Sequence, residues 1–323
     1  MGHPRPQMTQ MTPIDRNELV SAILSFLPSQ GLLALNDIRS VLDSEIDRAG
    51  SDALMALRTR LTADSGWDYY EPDPLARRIH RVLANRFLAP GSEPRNAHHL
   101  EAIAGMPVVI IANHLSYADA NAIEVLLHSG GGAEVANRLT AGAGPKVYSD
   151  RQRRFSSLCF GTIKVPQSAE VSSEEAVMSP RDVARAARRA IEVAHERLDA
   201  GDALLIFGEG TRSRTGALQP MLAGVARYLE RPDTWVLPVG LAGTEALFPV
   251  DEATLHPARV TLTLGPPIRA NALNAESRGD RRLLMDAVGL AIAELLPESY
   301  RGVYQPARPN DASAILRRAR QPI

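Results

Sequence analysis

The sequence predicts an α/β domain, in which helices flank a mixed sheet, preceded by a small helical domain. Apolar residues in the first part of the chain recur with a period of about 3.6 residues, as on one face of a helix. After a stretch rich in proline and glycine, short apolar runs alternate with helical segments, which is typical of βαβ units. We expect a mobile tail at 1–11, a helical domain at 12–90, an α/β domain at 95–300 and a C-terminal extension at 301–323.

Composition narrows the class of protein. Of the 323 residues, 45% are apolar and 23% charged, which predicts a folded chain with a real core. The net charge of −1 provides no whole-protein attraction to nucleic acid, so we expect no nucleic-acid partner. Cys159 is the single cysteine, which excludes an intrachain disulfide and fits a reducing compartment. Because no apolar stretch reaches ~18 residues, we expect a cytoplasmic protein, at most peripheral to the inner face of the membrane.

Four helices are predicted before the linker. Thr12-Pro13-Ile14-Asp15 resembles an N-cap, a proline at the first helical position and a capping-box acid. Apolar residues with helical spacing continue to Pro28, a second run spans 35–46, and a third segment follows Ser51. Asp73-Pro74 opens the fourth helix, which is rich in arginine. The tail from residue 302 contains many prolines and arginines and is predicted to be a loosely packed extension.

The α/β domain is predicted from runs of apolar residues and their periods. Strands are expected at 107–112, 146–149, 162–165, 203–207, 235–239 and 259–264. Helices are expected near 119–129, 180–199, 220–230 and 277–296.

A polar turn follows the first of these strands and contains Asn113, His114 and Asp119. Residues five apart lie about 140° apart around a regular helix, so His114 faces Asp119 only if it lies in the turn before the helix. Asp119 would then accept a hydrogen bond from one ring nitrogen and leave the other basic. On spacing alone, a capping aspartate beside a loop histidine is an equally available interpretation.

A second polar cluster, Gly208-Glu209-Gly210-Thr211-Arg212-Ser213-Arg214, follows the strand at 203–207. Its glycines permit close approach of the backbone to a ligand, and arginine forks suit phosphate. Taken alone, the cluster is also explained as a glycine turn with solvated arginines.

Together the two clusters resemble the glycerolipid acyltransferase family, which includes glycerol-3-phosphate and lysophosphatidate acyltransferases. The family's first motif, Asn-His-x4-Asp, is matched by Asn113, His114 and Asp119. Its third, Phe-Pro-Glu-Gly-Thr-Arg-Ser, is matched from Phe207 to Ser213 except that Gly208 replaces proline. The fourth, an apolar strand around a proline, is matched at Pro238. The resemblance covers roughly 100–270 and implies the fold of the glycerol-3-phosphate acyltransferases for the domain at 95–300.

The resemblance also implies the roles of the site residues. His114 would take the proton of an acceptor hydroxyl as it attacks an acyl thioester, and Asp119 would orient the imidazole. The donor would be acyl-CoA or acyl carrier protein, acting as co-substrate, with no metal and no further cofactor. The acceptor would be glycerol-3-phosphate or lysophosphatidate, in phospholipid biosynthesis. Substrate-binding roles fall to Asn113, Glu209, Gly210, Thr211, Arg212, Ser213, Lys164 and Pro238.

The second motif departs from the family. It ordinarily ends in an arginine that helps to bind the acceptor's phosphate, whereas here Gly161-Thr162-Ile163-Lys164-Val165 is followed by Pro166-Gln167. Lys164 or the cluster Arg151, Arg153 and Arg154 are the candidates to substitute. An amino-lipid, sugar or specialised metabolite is therefore an alternative acceptor, and a catalytically silent lipid- or carrier-binding module is an alternative class.

Two further features each have a structural and a functional interpretation. Ser116 lies two residues from His114 but lacks the glycine-flanked elbow of serine hydrolases, so a turn-capping hydroxyl is favoured over a nucleophile. Arginines at 181, 185, 188 and 189 follow helical spacing and would suit an acidic carrier protein or anionic headgroups. Glu192 and Glu196 continue along the same helix, so a solvated face of ion pairs is favoured.

Overall fold

The helical N-terminal part is built from four helices. The computed structural model describes residues 15–24, 35–62, 68–148, 151–166, 180–249, 252, 254–305 and 311–321. The first helices are α1 Arg16–Leu24, α2 Leu35–Ala49, α3 Ser51–Thr62 and α4 Pro74–Phe87. The predicted tail at 1–11 and the predicted helix start at Thr12 lie outside the described residues.

The start of α4 confirms the prediction made from Asp73-Pro74. The Asp73 carboxylate accepts hydrogen bonds from the backbone N–H groups of Leu75 and Ala76, at 2.9 and 3.0 Å. These are two of the N–H groups that a helix leaves unsatisfied at its first turn, and Pro74 has no N–H to satisfy. The arrangement fixes where α4 begins and therefore which of its side chains face the α/β domain.

The described strands form one mixed sheet. They are β1 Tyr69–Tyr70, β2 Glu93–Arg95, β3 Val108–Ala112, β4 Leu139–Ala143, β5 Gly161–Lys164, β6 Ala203–Phe207, β7 Trp235–Ala242, β8 Thr261–Leu264 and β9 Ile268–Arg269. Their order is β1-β5-β4-β6-β3-β7-β8-β2, and β9 pairs with β7. The central strands β5, β4, β6, β3 and β7 run parallel. Strand β1 is antiparallel to β5, and β8 and β9 are antiparallel to β7, whereas β2 is parallel to β8. The predicted mixed sheet is confirmed.

Helices cover both faces of this sheet. They are α5 Asp119–Ser129, α6 Ala133–Asn137, α7 Pro145–Tyr148, α8 Arg151–Ser157, α9 Pro180–Asp199, α10 Thr244–Leu247, α11 Ala270–Glu276, α12 Arg281–Ala293 and α13 Asp311–Ala319. Short 3-10 helices span Ala97–Ile103, Ala223–Leu229, Glu298–Tyr300 and Gly302–Tyr304.

Alternation along the central strands divides the core in two. Val108 and Ile110 of β3 belong to the cluster that contains α5 and the N-terminal helices, while Val109 and Ile111 belong to the cluster with α9, α12 and α13. All five residues of β3 are buried. Because successive side chains of a strand point to opposite faces, a strand covered on both faces is a continuous apolar run. The N-terminal helices thus pack on the sheet face that carries α5.

One predicted strand was wrong. The segment predicted as a strand at 146–149 overlaps helix α7, and the strand of this region is β4. The residues of β4, Leu139-Thr140-Ala141-Gly142-Ala143, are mostly small and have low strand propensity, so the run was overlooked. Its place between β5 and β6 in the buried sheet overrides that propensity. Pro145 at the first position of α7 accounts for the helix.

The carboxyl-terminal third also needs correction. The helix expected at 220–230 is the 3-10 helix at Ala223–Leu229, and the one expected at 277–296 is α12, preceded by α11. The tail is not a loosely packed extension throughout, because α13 packs against α11 and α12. It buries Ala312, Ile315, Leu316 and Ala319. The linker-like stretch at 89–94 leads into β2, which pairs with β8.

The described ranges contain neither a membrane-spanning helix nor a metal-binding group of side chains. None of their helices has the length and apolarity needed to cross a bilayer. Within the same ranges, histidine, cysteine, aspartate and glutamate form no group of three that would hold a metal ion.

Candidate active site

The candidate site forms where two neighbouring strands end. Strands β3 and β6 are parallel partners, with Ala112 opposite Phe207, so the polar turns that follow them lie at the same edge of the sheet. The two turns are joined by backbone contacts on either side of His114. Its N–H donates to Glu209 Oε1 at 2.6 Å, and its carbonyl accepts from Ser213 N–H at 2.7 Å.

His114 and Asp119 are in direct contact. His114 Nδ1 lies 2.7 Å from Asp119 Oδ2, which accepts the hydrogen bond when Nδ1 carries the proton. His114 lies in the turn before α5 and Asp119 is the first residue of that helix, so the turn brings residues five apart together. With Nδ1 engaged, Nε2 is the ring nitrogen left to act as a base.

The Asp119 carboxylate is fully buried and carries three contacts on one oxygen. Besides the His114 ring, Oδ2 accepts the backbone N–H groups of Leu115 and Ser116, at 2.6 and 3.0 Å. These donors are those of the turn itself, so the same carboxylate closes the turn and orients the imidazole. Oδ1 has no hydrogen-bond partner among the described residues. The position of Asp119 is thereby fixed before any substrate binds.

The other face of the histidine borders a cavity. The His114 ring stacks on Phe207, with centroids 4.1 Å apart and an angle of 12° between planes, and its side chain is 18% exposed. The active-site cavity beside it has a volume of about 360 Å³. Its walls include Tyr117 and Asn121 of the first turn and α5, the loop residues Gly210, Thr211, Arg212 and Arg214, and Ser156, Val165, Pro166, Leu222 and Tyr228.

Glu209 supports the turn and does not line the cavity. Its second carboxylate oxygen accepts the backbone N–H of Gln219 at 2.9 Å, while the first accepts that of His114. Burial raises the pKa of Glu209 to about 7, although the two N–H donors favour the ionised form and Asp119 opposes it. Glu209, which was predicted to bind substrate, therefore lies behind the cavity wall, where its carboxylate links the β6 loop to the β3 turn.

Arg212 of the β6 loop contacts the first turn. Its guanidinium carbon lies 3.5 Å from the centroid of the Tyr117 ring, a cation–π contact that holds the arginine flat against the cavity wall. Gly210 adopts a φ of +69°, and a Cβ there would lie 2.3 Å from Leu222 Cδ1. Glycine is therefore required for this course of the loop. Gly210, Thr211 and Arg212 all line the cavity, as predicted for acceptor-binding residues.

Asn113 and Ser213, predicted to bind substrate, make internal contacts. The Asn113 side chain is buried and pairs at both ends with the backbone of Leu241, donating to its carbonyl at 2.9 Å and accepting its N–H at 2.8 Å. Ser213 Oγ donates to the carbonyl of Ala217 at 2.7 Å. Both side chains hold the two turns in place, and neither lines the cavity.

Lys164 and Pro238 also lie off the cavity wall. Lys164 is the last residue of β5, and its neighbours Val165 and Pro166 line the cavity where Lys164 does not. Pro238 lies in β7 opposite Ile111, and its carbonyl accepts the N–H of Gly265, between the stretches of β7 that pair with β8 and with β9. That interruption of the ladder is where a central strand tolerates proline.

Three other arginines that were considered as anion-binding residues contact groups away from the cavity. Arg154 is buried and donates to the carbonyl of Leu61. On α9, Arg188 pairs with Glu192, and Arg189 pairs with Asp68 and Glu196, at 2.9 to 3.1 Å. The favoured interpretation of that helix as a face of ion pairs is confirmed for these residues.

Sequence analysis missed the aromatic and polar residues that shape the cavity. Phe207 was assigned only to a motif, and Tyr117, Asn121, Ser156 and Tyr228 were given no substrate role. Tyr117 and Asn121 lie at helical or turn spacing from His114, so proximity to the motif was a usable signal. Ser156 and Tyr228 reach the cavity through tertiary packing alone.

Similarity to known proteins agrees with the geometry. The family model described as Acyltransferase matches residues 94–242. No curated protein matches the chain significantly. Among solved structures, the 1-acyl-sn-glycerophosphate (LPA) acyltransferase PlsC of Thermotoga maritima is similar, with 21% identity, a TM-score of 0.44 and coverage of 68% of this chain and 76% of that one. A likeness this distant says nothing about function. The part of the chain that carries the candidate site is thus similar to the Acyltransferase family over residues 94–242.

Proposed function

We propose that the enzyme transfers a fatty acyl group from a thioester to a hydroxyl, with His114 as general base. The observation that carries the proposal is the contact of His114 Nδ1 with the buried Asp119, on the wall of the active-site cavity. An imidazole whose Nδ1–H donates to a carboxylate presents Nε2 as a proton acceptor. Asp119 also stabilises the imidazolium that forms when Nε2 takes the proton.

The step balances with these residues alone. The acceptor oxygen attacks the thioester carbonyl while its proton passes to His114 Nε2, giving a tetrahedral oxyanion. The oxyanion then collapses with cleavage of the C–S bond, and the thiolate takes the proton back from the imidazolium. The donor, acyl-CoA or acyl carrier protein, is a co-substrate, and the step calls for no further cofactor.

Stabilisation of the oxyanion must come from donors near His114. The N–H groups of Gly210 and Ser213 already donate to the carbonyls of Phe207 and His114. Thr211 and Arg212 of the same loop line the cavity, so we propose the Thr211 N–H and the Arg212 guanidinium as the donors that meet charge developing beside His114.

For the acceptor we propose glycerol-3-phosphate or lysophosphatidate, as in phospholipid biosynthesis. Among the described residues that line the cavity, the arginines are Arg212 and Arg214, and the planar fork of an arginine matches a phosphate. Arg212 is held against the Tyr117 ring.

A non-phosphate acceptor is the second candidate, favoured by a specific observation. The cavity wall at Val165 and Pro166 continues into Ile206, Leu222 and Val225, so the described residues on that side are apolar. An amino-lipid, sugar or specialised metabolite presenting a hydroxyl would meet that wall without an unpaired phosphate.

The test measures release of free thiol by the purified protein from long-chain acyl-CoA and acyl carrier protein. Each donor is combined with glycerol-3-phosphate, with lysophosphatidate or with no acceptor, for the wild type, His114→Ala and Arg212→Lys. Phosphate acceptors are supported if they stimulate His114-dependent release and Arg212→Lys raises KM, because lysine lacks the fork. No stimulation by either acceptor would favour the second candidate. Release that persists in His114→Ala would overturn the mechanism.

A further inference from the structure

A short segment of the chain, residues 218–222, lies against the β6 loop, and we call it the backing segment. The Gln219 N–H donates to Glu209 Oε2, and the Leu222 N–H donates to the carbonyl of Gly208, each at 2.9 Å. The Glu209 carboxylate also accepts the backbone N–H of the proposed base. The position of the backing segment therefore bears on the position of that histidine.

The C-terminal part of the chain holds the backing segment from its other side. The Leu218 N–H donates to the carbonyl of Tyr300 at 2.8 Å, and the Leu218 carbonyl accepts the N–H of Val303 at 3.1 Å. The Met221 N–H donates to the phenolic oxygen of Tyr304 at 2.9 Å. The backing segment is thus bonded both to the β6 loop and to the two C-terminal 3-10 helices.

The hydroxyl of Tyr304 is itself fixed by α12. It donates to Asp286 Oδ1 at 2.8 Å, so the phenolic oxygen is left as the acceptor for the Met221 N–H. The Tyr304 ring lies close against Gly289 of the same helix, where a Cβ would be 2.4 Å from ring atom Cζ. Because α12 belongs to the buried core, Tyr304 presents a hydrogen-bond acceptor at a defined place.

Met221 also joins this contact to the start of the β6 loop. Its side chain is fully buried, and a Cβ at Gly208 would lie 2.2 Å from Met221 Sδ. The Gly208 N–H donates to the carbonyl of Ala112 at 3.2 Å, so a proline at this position would lose that bond and overlap Met221. The departure from the third motif at Gly208 therefore occurs where the loop touches the residue that Tyr304 holds.

We propose that Tyr304 is a positioning residue of the active site: its hydroxyl fixes the backing segment, which fixes Glu209 and with it His114. Without the hydroxyl, the buried Met221 N–H loses its acceptor and the segment can shift to find another. The inference rests on the proposed function, because its readout is acyl transfer at His114. It assigns a part in catalysis to the C-terminal part of the chain, outside the residues 94–242 that match the family model.

The first test is Tyr304→Phe, which removes the hydroxyl and keeps the ring. We expect kcat for thiol release to fall about tenfold, the scale of one buried hydrogen bond. Tyr69→Phe is the matched control, because the Tyr69 hydroxyl also donates to an aspartate, Asp202, but does not contact the backing segment. It should leave kcat within about twofold. A lower melting temperature of Tyr304→Phe with unchanged kcat would overturn the proposal.

A double-mutant cycle tests the route. Glu209→Gln replaces one of the two carboxylate acceptors by an amide donor and so breaks the link between the backing segment and His114. If Tyr304 acts through this link, Tyr304→Phe should lower kcat by less than about threefold in the Glu209→Gln protein. If the two losses of kcat multiply instead, the route through Glu209 is overturned.

Hydrogen exchange of the His114 N–H, followed by NMR, separates the possible failures. If no thioester is turned over but Tyr304→Phe speeds this exchange about tenfold and Tyr69→Phe does not, the proposed function fails and the positioning role stands. If thioesters are turned over and Tyr304→Phe changes neither kcat nor the exchange rate, the positioning role is overturned.

Discussion

His114 and His80 each lie against a fully buried carboxylate, but the two pairs differ in their surroundings. The His114 pair, with Asp119, borders the active-site cavity, and the histidine is 18% exposed. The His80 pair, with Glu124, joins α4 to α5, and its histidine is 7% exposed. Glu124 also accepts two hydrogen bonds from Arg81, whereas the contacts of Asp119 in the described part of the chain are the His114 ring and backbone N–H groups.

This difference separates the proposed catalytic base, His114, from His80, which we assign to a structural contact between α4 and α5. Glu124 is paired with a permanent cation, Arg81, as well as with His80, and both contacts lower its pKa. Among the described residues, the His114 imidazole is the side chain that contacts Asp119, and it borders the active-site cavity. A histidine–carboxylate contact is therefore evidence of catalysis only when the other groups that contact the carboxylate are also considered.

The largest expected effect tests this difference directly. His114→Ala removes the base and should lower kcat by about 10²–10⁴ without loss of the folded state. His80→Ala should instead lower the melting temperature, with a fall in kcat of less than about tenfold, because it removes the contact with Glu124 that joins α4 to α5. His256→Ala, at an exposed pair with Glu252, is the control and should change neither. Equal losses of kcat at His114 and His80 would break the comparison.

Removing charge from each carboxylate should give different phenotypes. Asp119→Asn keeps the shape of the turn but spoils the orientation of the ring, so kcat should fall by about 10²–10³. Glu124→Gln leaves Arg81 without its buried counter-charge and should cost about 3 kcal/mol in the free energy of unfolding. Urea denaturation and thiol release on both variants measure the two quantities. A stable Glu124→Gln protein would contradict the assignment of Glu124.

The two glutamates should respond to pH with opposite signs. Burial is the largest single influence on the pKa of Glu124 and raises it, but contacts with His80 and Arg81 lower the pKa below its ordinary value. Its contribution to stability is therefore present above the unfolded pKa near 4.5 and is lost as the pH falls further.

Glu209 binds its proton more tightly when folded, with a pKa of about 7 against 4.5. Stability should therefore fall as pH rises from 4.5 to 7, by up to about 3 kcal/mol, and be level above that. Urea denaturation of the wild type and Glu209→Gln at several pH values measures this, because the contribution of Glu209 to the pH dependence is absent from the variant. An equal slope in both proteins would contradict the raised pKa.

The smallest effect is expected at Ser116. Its hydroxyl donates to the carbonyl of Phe248 and accepts the N–H of Ala118, so it caps the turn beside His114. Ser116→Ala should cost about 1 kcal/mol of stability and leave kcat/KM within about threefold. Loss of activity comparable to that of His114→Ala would mean that Ser116 is a nucleophile.

How far the sequence predicts the molecule depends on where the information lies. The start of α4 and the contact of His114 with Asp119 follow from local chemistry, a cap and a turn, and both were predicted. Strand β4 was missed because its small residues become a strand only through burial between two neighbours. The inward roles of Asn113 and Glu209 were missed because their partners, Leu241 and Gln219, depend on tertiary packing. Motif residues therefore predict where a site lies, but not which of their side chains face the cavity.

The Glu209 carboxylate accepts one backbone N–H from the β3 turn and one from the β6 loop, so a single side chain ties the two turns together. Because the groups it holds are backbone groups, the tie does not depend on which side chains stand at positions 114 and 219. Side chains of the two turns can therefore be exchanged over evolution while the spacing between the turns is kept.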